Sequence, residues 1–297
     1  MLRLRFAGAR RALSAAASLP LAATASLGAA ALLLLGACQH MAPSADEALR
    51  SGLKMDLVRG GAYKHVTFAN ASSTATPLYV FIEGDGLPWR SQGTRVSPDP
   101  TPRNALALAL AIRTPGSRLY LGRPCYFAAI NDRACNPRVW TSERFSAAVV
   151  ASMAAVVNRY CVESCRGGVV LIGYSGGGVL AVLMAPLVPS TVAVVTIAAD
   201  LDIDAWARRH DYSALAGSLN PAALPPLPSR IREWHLVGDR DTVVPPELSR
   251  RYLDRVKPDY VWHFATFDHV CCWAQQWPDL FSRIEAAVGR TSVDLSY

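Results

Sequence analysis

Gly168-Gly-Val-Val-Leu-Ile-Gly-Tyr-Ser-Gly-Gly-Gly178, continuing through Val179-Leu-Ala-Val-Leu-Met184, carries the information from which the architecture is read. Val169 to Ile172 is an unbroken apolar run with two β-branched valines, the pattern of a strand buried on both faces. Pro186 closes the apolar run beyond the glycines, which predicts a short helix ending there. Between strand and helix, Gly173-Tyr-Ser-Gly-Gly177 fits G-x-S-x-G in the strand–turn–helix setting that the motif requires. Such a turn is too sharp for Cβ atoms at its flanks, hence glycine there. It lifts the serine oxygen above the sheet, and the new helix aims free N–H groups and its positive end toward it. Ser175 therefore reads as a candidate nucleophile. Two other readings compete: a plain Gly-rich turn, and a dinucleotide site, because Gly176-Gly-Gly178-x-x-Ala181 fits G-x-G-x-x-A with Asp200 ending the next strand.

Outward from this stretch, buried or alternating runs predict strands at Lys64–Ala69, Pro77–Ile82, Arg118–Leu121, Thr191–Ala199, Ile231–Val237 and Tyr260–Phe264. Helices are expected from Thr101-Pro102 to Ile112, from Thr141 with Phe145, Val149, Met153, Val156, Val157 and Tyr160 on one face, from Pro246, and from Pro278 to Gly289. Strands alternating with helices mean an α/β fold: a mostly parallel central sheet with helices on both faces. Asp200 to about Arg230 is irregular and proline-rich, an excursion long enough to form a short lid or cap.

In such a sheet, chemistry gathers where strand C-terminal ends meet loops. Gly238-Asp-Arg-Asp241-Thr-Val-Val-Pro245 follows one late strand, and Thr266-Phe-Asp-His269 follows the last. A serine, a carboxylate and a histidine thus each follow a different strand, in that order. A dinucleotide site has no use for the last two. Over about residues 60 to 289 the chain resembles the α/β-hydrolase superfamily, on the Gly173–Gly177 elbow, the Gly238-x-x-Asp241-x-Val-Val-Pro245 loop and the histidine loop. The resemblance implies an α/β-hydrolase fold and a cofactor-free, metal-free serine hydrolase in which Ser175 attacks an acyl carbon, His269 takes its proton and Asp241 orients the imidazole. Elementary chemistry agrees: a neutral hydroxyl needs a base, and the base needs a carboxylate to fix its tautomer. Asp239 is the second choice of acid, and Asp268 is badly placed to reach its neighbour's ring. His235 and His263, inside apolar strands, read as core residues; His65 precedes the sheet, and His210 belongs to the lid. The Gly176 amide is one oxyanion donor. The other is expected after the Pro77–Ile82 strand, where relatives often carry His-Gly and this chain has Glu83-Gly-Asp-Gly86: the Asp85 N–H first, Gly86 next. Trp89, Tyr126, Tyr174 and Trp206 are candidates for a substrate pocket. A catalytically silent lipoprotein using the fold for binding is the alternative.

The first 37 residues belong to another regime. Arg3, Arg5, Arg10 and Arg11 precede an acid-free apolar tract that ends in Leu35-Gly-Ala-Cys38. Basic head, apolar middle and small residues before a cleavage point describe an export signal. Its end resembles the lipobox of bacterial lipoproteins, which implies lipidation at Cys38, a membrane anchor and an address in the periplasm or at the outer membrane. Residues 38–57 are expected to be a tether and 58–297 the folded domain. The net charge of +7 falls to +3 without the four leading arginines, so nothing points to nucleic acid.

Six further cysteines, Cys125, Cys135, Cys161, Cys165, Cys271 and Cys272, favour disulfides in an oxidising compartment. Cys125 with Cys135 is the least strained local pair and would contribute about 3 kcal/mol through loop entropy. Cys161 with Cys165 would require a frayed helix end, and Cys271 and Cys272 are expected to reach different partners.

Overall fold

The computed structural model describes residues 45–70, 76–91 and 93–293; the export segment 1–37 and Cys38 lie outside them. Among the described residues ten strands form: β1 (Lys54–Gly60), β2 (Tyr63–Ala69), β3 (Leu78–Ile82), the two-residue strands β4 (Trp89–Arg90) and β5 (Arg95–Val96), β6 (Arg118–Leu121), β7 (Val169–Tyr174), β8 (Thr191–Ile197), β9 (Arg232–Gly238) and β10 (Tyr260–Phe264). Eight of them make one sheet in the order β1-β2-β6-β3-β7-β8-β9-β10, and β4 pairs with β5 separately. The β1–β2 and β2–β6 pairs are antiparallel; every pair from β6 to β10 is parallel.

The helices are α1 (Ala45–Arg50), α2 (Leu106–Arg113), α3 (Ala147–Ser164), α4 (Gly176–Met184), α5 (Ile203–Arg209), α6 (Arg250–Val256) and α7 (Trp273–Val293). Side chains alternate across a strand, so each central strand feeds two cores. Leu78, Val80, Ile82 and Leu171 pack with Val149, Met153 and Val156 of α3 and with Leu180 of α4. Tyr79, Phe81, Val170 and Ile172 face the other way, against α2 and α7. From β3 the chain moves to β6 on one side and then to β7 on the other. That reversal opens a crevice at the strand C-terminal ends, where such sheets bind ligands.

Several boundaries differ from expectation. Residues expected to be tether contain α1 and the first four residues of β1, which pairs along its length with β2. Five of its seven residues are exposed, so no buried face marked it in the sequence. His65 lies within β2 rather than before the sheet and is fully buried. The first long helix starts at Leu106, not Thr101, and the next at Ala147, where Ser146 Oγ caps Val149 N at 3.4 Å, rather than at Thr141. The last helix begins at Trp273, five residues before Pro278, and passes Gly289 to reach Val293. Trp273, Trp277, Phe281, Ile284 and Val288 recur at helical spacing on one buried face, and that burial outweighs one lost backbone hydrogen bond in the second turn.

Cys125 pairs with Cys135 as expected. Cys161 also bridges Cys165, which stands just beyond the last residue of α3. The adjacent Cys271 and Cys272 bond to each other, against expectation. The other four described cysteines are already paired, so these two have no other partner among the described residues.

Candidate active site

β7 runs straight into α4, and Ser175 occupies the joint with φ +52° and ψ −126°. A non-glycine residue in this region costs about 1–3 kcal/mol and persists only where the surroundings impose it. Here they do. Ser175 N donates to the Ile197 carbonyl at 2.8 Å, and Gly178 N donates back to the Ser175 carbonyl at 2.8 Å. A Cβ on Gly173 would lie 2.1 Å from the Gly177 carbonyl oxygen, and one on Gly177 would lie 2.2 Å from that of Ile82. Strand and helix touch backbone to backbone. Gly173→Ala is therefore expected to cost about 1–3 kcal/mol in urea unfolding. By shifting the serine it should also slow modification of Ser175 by a fluorophosphonate about 10²-fold; labelling at the wild-type rate would contradict this.

The acid and the histidine stand at the C-terminal ends of the neighbouring strands β9 and β10. Their loops are joined by backbone bonds, Asp239 N to Phe264 O at 3.1 Å and Arg240 N to Phe267 O at 2.9 Å. Asp241 Oδ1 accepts from Val243 N at 2.8 Å and Val244 N at 2.7 Å, which leaves Oδ2 to accept from His269 Nδ1 at 2.8 Å. The Asp241 side chain is 1% exposed and that of His269 15%, so the acid is sealed while the ring reaches the surface. With its proton on Nδ1, the imidazole presents Nε2 as an acceptor. The Tyr174 ring, one residue before Ser175, lies 5.2 Å from the His269 ring, which sets the imidazole beside the elbow. Ser175 Oγ makes no hydrogen bond among the described residues.

The competing groups are engaged elsewhere. Asp239 pairs with His263 at 2.8 Å, and that histidine is exposed on β10 rather than buried in the core. His235 is buried and bonds Thr196 Oγ1 at 2.8 Å. Asp268 Oδ1 accepts from the N–H groups of Val270 and Cys271, turning its carboxylate into the loop that holds His269. Asp200 is buried, out of reach of a ribose.

At the crevice, the loop after β3 comes against the elbow. A Cβ on Gly84 would lie 3.4 Å from Ser175 Cβ, and one on Gly176 would lie 2.2 Å from Asp85 Oδ1. The N–H groups of Asp85, Gly86 and Gly176 donate to no acceptor among the described residues. Gly86 adopts φ +64° with its Cα close to the Pro100 carbonyl. The Asp85 carbonyl accepts from Tyr126 Oη at 2.6 Å, so Tyr126 is buried support rather than pocket lining. The Asp85 carboxylate is held between Arg123 and Arg144. Neither arginine stands out in the sequence. The one signal was Gly122-Arg123-Pro124-Cys125 directly after a buried strand, and a lone basic residue there reads as surface.

The segment expected to form a lid contains α5 and a 3₁₀ turn at Pro221–Ala223. Trp206 Nε1 and His210 Nε2 both donate to the Val243 carbonyl, at 2.9 and 2.8 Å, and His210 stacks on Tyr212. Trp89, on β4, is exposed.

No family model and no curated protein sequence matches the chain. Solved structures do. An esterase from Pyrococcus furiosus superposes with a TM-score of 0.53 at 14% identity, over 82% of this chain and 94% of that one. An alpha-beta serine hydrolase homologue from Coxiella burnetii gives 0.51 at 13%, over 80% and 96%. The chain has the α/β-hydrolase fold. A puromycin-hydrolyzing peptidase from Mycobacterium tuberculosis gives 0.52 at 15%, over 80% of this chain but only 40% of its own length. Within the α/β-hydrolase fold the elbow after the central strand, the acid after β9 and the histidine after β10 fall in the order Ser, Asp, His.

Proposed function

We propose that the protein is a cofactor-free serine hydrolase that cleaves carboxylic esters or thioesters through an acyl-enzyme. Ser175 Oγ attacks the acyl carbon while His269 Nε2 takes its proton, and Asp241 stabilises the imidazolium. The oxyanion is received by the N–H groups of Gly176 and Asp85, with Gly86 as the neighbouring donor. Collapse of the tetrahedral intermediate expels the alcohol or thiol, which His269 protonates; a water activated by the same ring then releases the acid. The observation that carries the reading is the sealed Asp241–His269 pair beside a serine in a strained elbow. The shared fold with an esterase is compatible with it. Lipidation at Cys38 would hold the enzyme on the bacterial envelope, in the periplasm or at the outer membrane, facing lipid-like acyl substrates. A silent binding lipoprotein draws support only from Ser175 Oγ lacking a hydrogen bond.

A panel of p-nitrophenyl esters of increasing acyl length separates the two. Wild type is expected to release nitrophenol, and His269→Ala to lose at least about 10⁴-fold of that rate. No turnover of any ester by wild type, or an undiminished rate in the variant, would sink the hydrolase reading.

A further inference from the structure

We propose that Arg123 and Arg144 are positioning residues for acyl transfer: clamping the Asp85 carboxylate from two sides, they aim the Asp85 backbone N–H at the oxyanion. This rests on the hydrolase reading above.

The first ground is that the two cations are where charge is least welcome. Their side chains are 1% and 5% exposed. Taking a guanidinium out of water costs several kcal/mol, and an Arg–carboxylate–Arg triad can often be replaced by apolar side chains without loss of stability. Stability is therefore a poor reason to keep one. A fixed geometry is a better one.

The second ground is how the clamp is built. Arg144 Nε donates to the Thr141 carbonyl at 2.7 Å, and Arg123 Nη2 donates to the Arg144 carbonyl at 3.2 Å. The Arg123 guanidinium also lies 5.3 Å from the centre of the Phe145 ring and 5.5 Å from that of Tyr126. Each arginine is thus fixed by groups outside the β3 loop before it meets Asp85. With the Tyr126 hydroxyl on its carbonyl and the two arginines on its carboxylate, which lies against Gly176, Asp85 has one polar group left free among the described residues: its N–H.

The third ground is the sign of the charge. An unneutralised carboxylate here would repel an oxyanion. Burial works against the ionised form of Asp85, but Arg144 and then Arg123 outweigh it and hold the carboxyl below its ordinary value. Burial first, and the Asp85 charge second, push the neighbouring Asp200 carboxyl up to about 8. Asp200 is thereby biased toward its neutral form, and burial likewise raises the Glu83 carboxyl, to about 7, so Asp85 is the carboxylate that the two arginines hold ionised beneath the elbow.

The test uses Arg123→Lys, Arg144→Lys and Asp85→Asn in the purified protein. Lysine keeps the charge and loses the planar fork; asparagine keeps the shape and loses the charge. Folding is checked by circular dichroism and Ser175 by its reaction with a fluorophosphonate. Each folded variant is expected to lose about 10²-fold in kcat on p-nitrophenyl acetate, with KM within about twofold of wild type. Affinity for a trifluoromethyl ketone, which forms the tetrahedral adduct, should fall by the same factor. A folded variant with wild-type kcat, or one whose loss lies in KM with ketone affinity unchanged, would overturn the proposal. Collapse of all three folds would overturn it too, since the clamp would then be a strut of the core. A wild-type enzyme that leaves Ser175 unlabelled would instead remove the hydrolase reading beneath it.

Discussion

Ser175→Ala is expected to reduce ester turnover about 10⁶-fold and to abolish covalent labelling by a fluorophosphonate, while leaving the unfolding midpoint unchanged. A drop of that size corresponds to about 8 kcal/mol of barrier. It is large because the serine contributes to the reaction and hardly at all to the fold. Its Oγ bonds nothing among the described residues, and the elbow is held by the Ser175 backbone and the packed glycines on either side. Alanine keeps the backbone bonds and the strained φ, and loses only the nucleophile. What remains should be the small acceleration owed to binding and the oxyanion donors. Persistent labelling at another residue would mean that the reactive group is not at this elbow.

Asp241→Asn should have the next largest effect, about 10⁴-fold in kcat. Asp241 Oδ1 takes two backbone N–H groups while Oδ2 takes His269 Nδ1. Asparagine can satisfy the two amides only with its oxygen on that side, which turns its NH₂ toward the imidazole. The ring would then have to present Nδ1 as acceptor and carry its proton on Nε2, the wrong tautomer for a base aimed at the serine. The same variant should stay folded, because the Val243 and Val244 amides keep their acceptor. Stopped-flow assay of acylation with p-nitrophenyl acetate reads the loss directly; a change under tenfold would move the acid's role elsewhere, with Asp239 the first residue to examine.

The parts of the structure that depend on local pattern were legible in the sequence. Val169–Ile172 was recognisable because a doubly buried strand has no polar residue to interrupt it, and the elbow because backbone contact admits only glycine. Asp241 and His269 could be located because each lies in the loop just past a recognisable strand. What escaped was set by tertiary contact. β1 hides because its exposed residues leave too little alternation to read. Pro278 reads locally as a helix start, but the buried face formed by Trp273, Trp277 and Phe281 carries the helix back across that breaker. The pairing of Cys271 with Cys272 follows from the other four being taken. Arg123 and Arg144 read as surface residues, since nothing in a sequence announces that a charge will be buried against an aspartate 38 or 59 positions away.

The peptide group joining Val243 to Val244 faces two ways: its N–H, that of Val244, serves Asp241, and its carbonyl, that of Val243, takes both Trp206 and His210. The segment that carries Trp206 and His210 is therefore tied to the loop that holds Asp241. Replacing that segment would be felt at Asp241 in the same stroke, so whatever it contacts cannot be altered without touching the partner of His269.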